Sequence, residues 1–169
     1  MEGPTSVDAE RPCPYGPEWE CRQKNLRLDT KGEWLKPDEI LSLERFQQLE
    51  PQVPLSDKIV WIRRDEDSFL PTDDFKWTAN NGIRIEMKHV HRAEYRPIHD
   101  AINGSIRKLK KNHPGLLGVK ENFMIDIGRR QLRDGLRVEL EDYNIRNPLN
   151  PLKRLWILWD EHLEEIALR

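Results

Sequence analysis

Two hydrophobic rhythms run along this chain, one of period two and one of period three to four, and together they predict its elements. Ile83, Ile85 and Met87 alternate with Arg84, Glu86 and Lys88, which predicts a strand with one apolar and one charged face. Asn80-Asn81-Gly82 just before it tolerates the positive φ of a tight turn, so the segment from Asp74 to Lys88 reads as a hairpin. Lys58–Ile62 reads as a first strand, Phe123–Ile127 as a buried strand, Leu155–Trp159 as a last strand, and Leu163–Ile166 as a short return strand.

The longer rhythm predicts three helices. Pro37-Asp38-Glu39 opens one whose buried side is Ile40, Leu41, Leu43, Phe46 and Leu49, ended by Pro51 and Pro54. Pro97 opens a second, with Ile98, Ala101, Ile102, Ile106 and Leu109 inward, running to Asn112 before His113-Pro114-Gly115 breaks it. Arg129 to Tyr143 is the third, striped by Leu132, Leu136, Leu140 and Tyr143. Residues 1–35 hold Pro4, Pro12, Pro14 and Pro17 and few large apolar residues, which predicts an irregular arm with Trp19 and Trp34 available to dock it. The expectation is an α/β (α+β) fold: one domain over 36–169, a central mixed sheet flanked by helices, preceded by the arm.

Composition narrows the class. At 169 residues the chain suits one domain, and no apolar run approaches the roughly 20 residues of a membrane span. Met1-Glu2-Gly3-Pro4 lacks the basic and apolar regions of a secretory signal, so a cytoplasmic setting is expected. Cys13 and Cys21 leave a disulfide, a metal pair or free thiols open, with free thiols the expectation for a cytoplasmic chain. The net charge is only −2, yet Arg84–Lys111 holds eight Lys/Arg against three Asp/Glu, while residues 1–60 hold eight basic against twelve acidic residues. A basic segment of this kind attracts phosphate backbone. It is equally the ordinary solvated face of a lysine-rich helix.

The candidate chemistry centres on Glu86 and Lys88, which share a strand face about 7 Å apart at roughly 3.3 Å of rise per residue. Asp74 stands near the mouth of the same hairpin. Two carboxylates and a lysine on one face can hold a divalent cation, Mg²⁺ or Mn²⁺, and an activated water. The alternative is an exposed charged face without chemistry. If the strand runs on to Val90, His89 and His91 fall on the opposite face and are solvated or phosphate-contacting. Asp126, in an apolar strand, is expected to be either a structural partner of a basic residue such as Arg129 or a group that supports the ligands of the site from behind. Trp156 and Trp159 are expected in packing. Asn103, Arg107, Lys108, Lys110 and Lys111 line the polar side of the second helix. No Ser/His/Asp signature, P-loop or dinucleotide glycine fingerprint occurs.

Asp74 followed by Glu86-x-Lys88 on a hairpin resembles the PD-(D/E)xK nuclease superfamily, although the motif's proline is displaced to Pro71. Asp100-Ala101-Ile102-Asn103-Gly104-Ser105-Ile106-Arg107-Lys108-Leu109-Lys110-Lys111, Asn122–Ile127 and Leu155–Ile166 are similar to the helix, strand and last hairpin of the nuclease toxins of contact-dependent inhibition and other polymorphic toxin systems. The resemblance covers about residues 70–167. It implies a restriction-endonuclease-like sheet and a metal-dependent nuclease acting on DNA or tRNA. Asp74 and Glu86 would be metal ligands, and Lys88 would orient or help deprotonate the attacking water. The basic helix, with Asn103, would lie along the substrate. A further acidic ligand from an early helix, Glu39 or Glu44, and an inhibitor or immunity partner are also implied. The other class of reading is a non-catalytic binding or partner protein of the same fold, for which the acidic first 60 residues suit a protein interface.

Overall fold

The computed structural model describes residues 12–26, 28–29, 34–51, 59–61, 75–77, 83–112 and 120–169. In chain order these form α1 (Pro17–Asn25), β1 (Leu28–Asp29), α2 (Pro37–Leu49), β2 (Ile59–Trp61), β3 (Phe75–Trp77), β4 (Ile83–His89), α3 (Tyr95–Asn112), β5 (Asn122–Asp126), α4 (Asp134–Glu141), α5 (Tyr143–Arg146), β6 (Arg154–Trp159) and β7 (His162–Glu165). The fold is α/β. The seven strands pair in sequence order in one mixed sheet. Its best-developed part is the four strands β4–β7, where β4, β5 and β6 run parallel and β7 turns back antiparallel.

Both parallel connections cross over through helices. Two crossovers of the same hand that advance in one direction must leave their helices on one face. Accordingly Ile98, Ile102 and Ile106 of α3 and Leu136 and Leu140 of α4 share a buried cluster with Phe123, Ile125, Leu155 and Ile157. The opposite face of the sheet, Ile85, Met124 and Trp156, is covered by Ile40, Leu43 and Phe46 of α2. Strand alternation thus sends Ile85 to one layer and Glu86 to the other.

Several expectations shift. The arm is not irregular throughout: residues 17–25 are helical, because Pro17 takes the first helical position, where its missing N–H costs nothing. Leu26 and Leu35 are buried beside α2, and Gln23 accepts a hydrogen bond from the Leu35 N–H at 2.8 Å, so this stretch packs with the domain. Trp19 is part of the same packing. The second predicted helix starts at Tyr95, two residues before Pro97, which the first turn accommodates for the same reason. The third does not begin at Arg129. Gly128 takes φ +77 and donates its N–H to the Asp126 carboxylate at 2.7 Å, and this turn delays the helix to Asp134. Leu132 keeps its place in the buried stripe without being helical. Cys13 and Cys21 are both free thiols.

Tyr143 closes the cluster under α3, and burial, aided by nearby Tyr95, pushes its phenol well above the ordinary value near about 10. A folded-state pKa above the unfolded one means stability that is intact below about pH 10 and lost as pH rises toward the folded value. A denaturation series from neutral to strongly alkaline pH is expected to show that decline, and Tyr143→Phe to blunt it.

Candidate functional site

Glu86 sits in the middle of β4, opposite Phe123 of β5, on the face that α3 covers. Its side chain is 8% exposed, and that of Lys120 is 9% exposed. Lys120 Nζ donates to Glu86 Oε1 at 2.7 Å and to Ser105 Oγ at 2.9 Å. The Ser105 hydroxyl donates to Glu86 Oε2, closing a triangle of carboxylate, ammonium and hydroxyl. Taking two charges out of water is expensive unless geometry and further hydrogen bonds offset the cost, and here the hydroxyl adds one. The placement follows from the elements. Ser105 lies three residues after Ile102 on the inward side of α3. Lys120 enters β5, the parallel neighbour of β4.

Lys88 lies one pleat along the same face, opposite Ile125, and is half-buried. It makes no hydrogen bond or ion pair with a described residue. Asp74 lies outside the described residues, as does the Asn80-Asn81-Gly82 turn. The two strands around that turn do pair antiparallel, and the described register ends with Phe75 opposite Ile85. No group of three metal-ligating side chains occurs among the described residues. Glu86 by itself, with both oxygens already accepting from Lys120 and Ser105, does not make a Mg²⁺ or Mn²⁺ centre.

The early-helix acids are engaged elsewhere. Glu39 accepts from the Lys36 N–H at the start of α2 at 2.8 Å. Glu44 takes a forked contact from Arg22 of α1, Nε at 3.1 Å and Nη2 at 2.5 Å, and that contact raises the arginine's pKa.

The basic residues of α3 do not converge on Glu86. Asn103 stands two positions before Ser105, which on an α-helix is nearly the opposite side. Lys110 donates to Asn150 Oδ1 at 2.5 Å, toward β6. Arg107 and Lys111 are exposed and turned away from the buried stripe. Lys108, one turn beyond Ser105, is the member that shares its edge of the helix.

His89 lies on the α2 side, its Nε2 3.6 Å from Asp38 Oδ2 and its Nδ1 3.5 Å from Asp126 Oδ2. It is set between carboxylates and is not simply solvated. His91 is exposed, and its carbonyl accepts from Arg130 Nη1 at 2.6 Å. Asp126 finds its partners in Gly128 and His89, not in Arg129. Trp156 is fully buried, edge-on to Phe46 with ring centres 5.7 Å apart, and its indole N–H donates to Glu50 Oε2 at 2.6 Å. Trp159 stacks on His162.

Sequence reasoning missed Ser105 and Lys120. Ser105 had a signal, a polar residue inside an apolar stripe. Lys120 had none, because nothing local marks a lysine that reaches a neighbouring strand. No protein-family model matches this chain, and no curated protein or solved structure matches it either. Among the described residues, no helix is long and apolar enough to cross a membrane.

Proposed function

We propose that the protein is a nuclease that hydrolyses phosphodiester bonds in DNA or tRNA, with Glu86 and Lys88 at its centre. The observation that carries this reading is a buried carboxylate on the middle strand with an unpartnered lysine, among the described residues, two positions along the same face. Lys120 and Ser105 hold the Glu86 carboxylate in one orientation, and Lys88 offers an ammonium to a phosphoryl oxygen as negative charge develops. Asp74 is proposed as the second acid. With Glu86 it would take Mg²⁺ or Mn²⁺, whose contribution is charge stabilisation and a more acidic water. The order helix, three strands, helix, strand from α2 to β5 agrees with the restriction-endonuclease-like arrangement that the sequence resemblance implies. A toxin-type role in the cytoplasm, restrained by an inhibitor or immunity protein, belongs to the same reading.

One observation favours the other class, a non-catalytic binding or partner protein. Both Glu86 oxygens are satisfied from within the chain, as in a purely structural ion pair.

A cleavage assay separates the two. Plasmid DNA, single-stranded DNA and total tRNA are incubated with the protein in Mg²⁺ or Mn²⁺, beside Lys88→Ala and Glu86→Gln. The nuclease reading expects metal-dependent cutting that falls about 100-fold or more in Lys88→Ala, the scale of losing one charge-stabilising group. Absence of cutting by the folded wild-type chain on all three substrates would overturn it.

A further inference from the structure

The strands β4 and β5 end side by side, His89 opposite Asp126, and the chain leaves both at the same edge of the sheet. Ligands of open α/β sheets collect at this carboxyl edge, because the loops there converge while the strands hold them apart at fixed spacing. The loop after β4 carries Arg92, with Arg96 following in the first turn of α3. The loop after β5 carries Arg129, Arg130 and Arg133. All five are exposed.

Most of the other described arginines are paired; Arg84 and Arg107, which are also exposed, form no ion pair with a described residue and stand singly, away from this edge. Arg22, Arg45, Arg137, Arg146, Arg154 and Arg169 each pair with a carboxylate. None of the five edge arginines forms an ion pair with a described residue. The acids at this end are placed elsewhere or already engaged: Asp38 and Asp126 flank His89, Asp134 pairs with Arg137, and Glu161 pairs with Arg45. Glu94 and Asp160 are left.

The two loops are fastened together. The Val90 N–H donates to the Asp126 carbonyl at 2.9 Å, Arg130 donates to the His91 carbonyl, and Asp126 caps the turn at Gly128. Fixed loops lower the ordering cost of binding. Guanidinium groups suit phosphate, since their planar forks meet two oxygens at once.

We propose that the loops after β4 and β5 form the surface that holds a nucleic-acid strand by its phosphates, through Arg92, Arg96, Arg129, Arg130 and Arg133, in place of the α3 lysines. Lys88, two residues before the loop, stands where the held strand meets the sheet. The surface needs no hydrolysis and stands whether or not Glu86 and Lys88 catalyse.

Binding is read by fluorescence anisotropy in EDTA, with a labelled single-stranded oligonucleotide and a labelled tRNA, over a series of salt concentrations. Arg92→Gln/Arg129→Gln/Arg133→Gln is expected to weaken binding at least about tenfold. It is also expected to flatten the slope of log affinity on log salt by about 2, at about 0.7 per phosphate contact for single strands. Thermal melts of this variant should match wild type, as all three side chains are exposed. Arg92→Lys/Arg129→Lys/Arg133→Lys should recover most of the slope, and Arg107→Gln/Lys111→Gln on α3 should lose little. Loss confined to the α3 variant would overturn the assignment. So would failure of wild type to bind either nucleic acid, or an unchanged slope in the folded loop variant. Because no metal is present, these outcomes are independent of whether the chain cleaves.

Discussion

Glu86→Ala is expected to destabilise the protein by about 3–5 kcal/mol, the usual consequence of leaving one member of a buried ion pair without its partner. The alanine removes the acceptor of Lys120 and of the Ser105 hydroxyl together, and Lys120 is too enclosed to find water without moving. The companion experiment is the double variant Glu86→Met/Lys120→Met. It exchanges the pair for apolar side chains, an exchange that is often neutral in other buried pairs. Urea denaturation should place the double variant within about 1 kcal/mol of wild type and Lys120→Met alone nearer to Glu86→Ala, at similar m values. If the double variant were as unstable as the sum of the singles, the two side chains would not be partners. This cycle also bears on function. Should the apolar pair restore stability while cleavage stays absent, the ionised Glu86 would be required for chemistry beyond its role in folding.

Trp156→Ala should cost a similar amount, about 3–5 kcal/mol, for a different reason. The indole is fully buried between α2 and the sheet, edge-on to Phe46, with the Arg154 guanidinium 4.5 Å over its ring. Its removal opens a cavity under the middle of β6, the strand that joins β5 to β7. Trp156→Phe keeps most of the volume and removes the donor to Glu50 Oε2, whose residue is also buried. That substitution should cost about 1–3 kcal/mol, the range for disturbing one buried polar contact. Equilibrium denaturation followed by far-UV circular dichroism orders the two. Equal losses would mean that the hydrogen bond carries most of the contribution; a negligible loss in Trp156→Phe would mean that packing does.

Much of the fold was legible because its signals are local. Alternation at Ile83–Lys88 set the strand and its two faces, and Ile98, Ile102, Ile106 and Leu109 set the inward side of α3. The apolar runs at Phe123–Ile127 and Leu155–Trp159 correspond to β5 and β6 within a residue. Each of these patterns is decided by side chains a few positions apart. The errors fall where a contact that the hydrophobic pattern does not display outweighed that pattern. The proline-rich arm contains α1, stabilised by Leu26 and Leu35 packing beside α2 and by the Arg22–Glu44 contact. Arg129–Arg133 is a loop although Leu132 fits the helical stripe, since Asp126 and Gly128 form a turn that the stripe does not reveal.

The candidate site divides in the same way. The sequence by itself determined that Glu86 and Lys88 share a face, because a strand's period of two permits nothing else. It also determined that basic residues gather after β4. The tertiary structure decided that Glu86 is buried against Lys120 and Ser105, that Arg107, Lys110 and Lys111 of α3 turn away from it, and that arginines from two separate loops meet at one edge. Those outcomes depend on which strands lie side by side and which helix covers them. Such contacts join residues far apart in the chain, so their energy is felt only once the sheet has formed, and no local pattern encodes it.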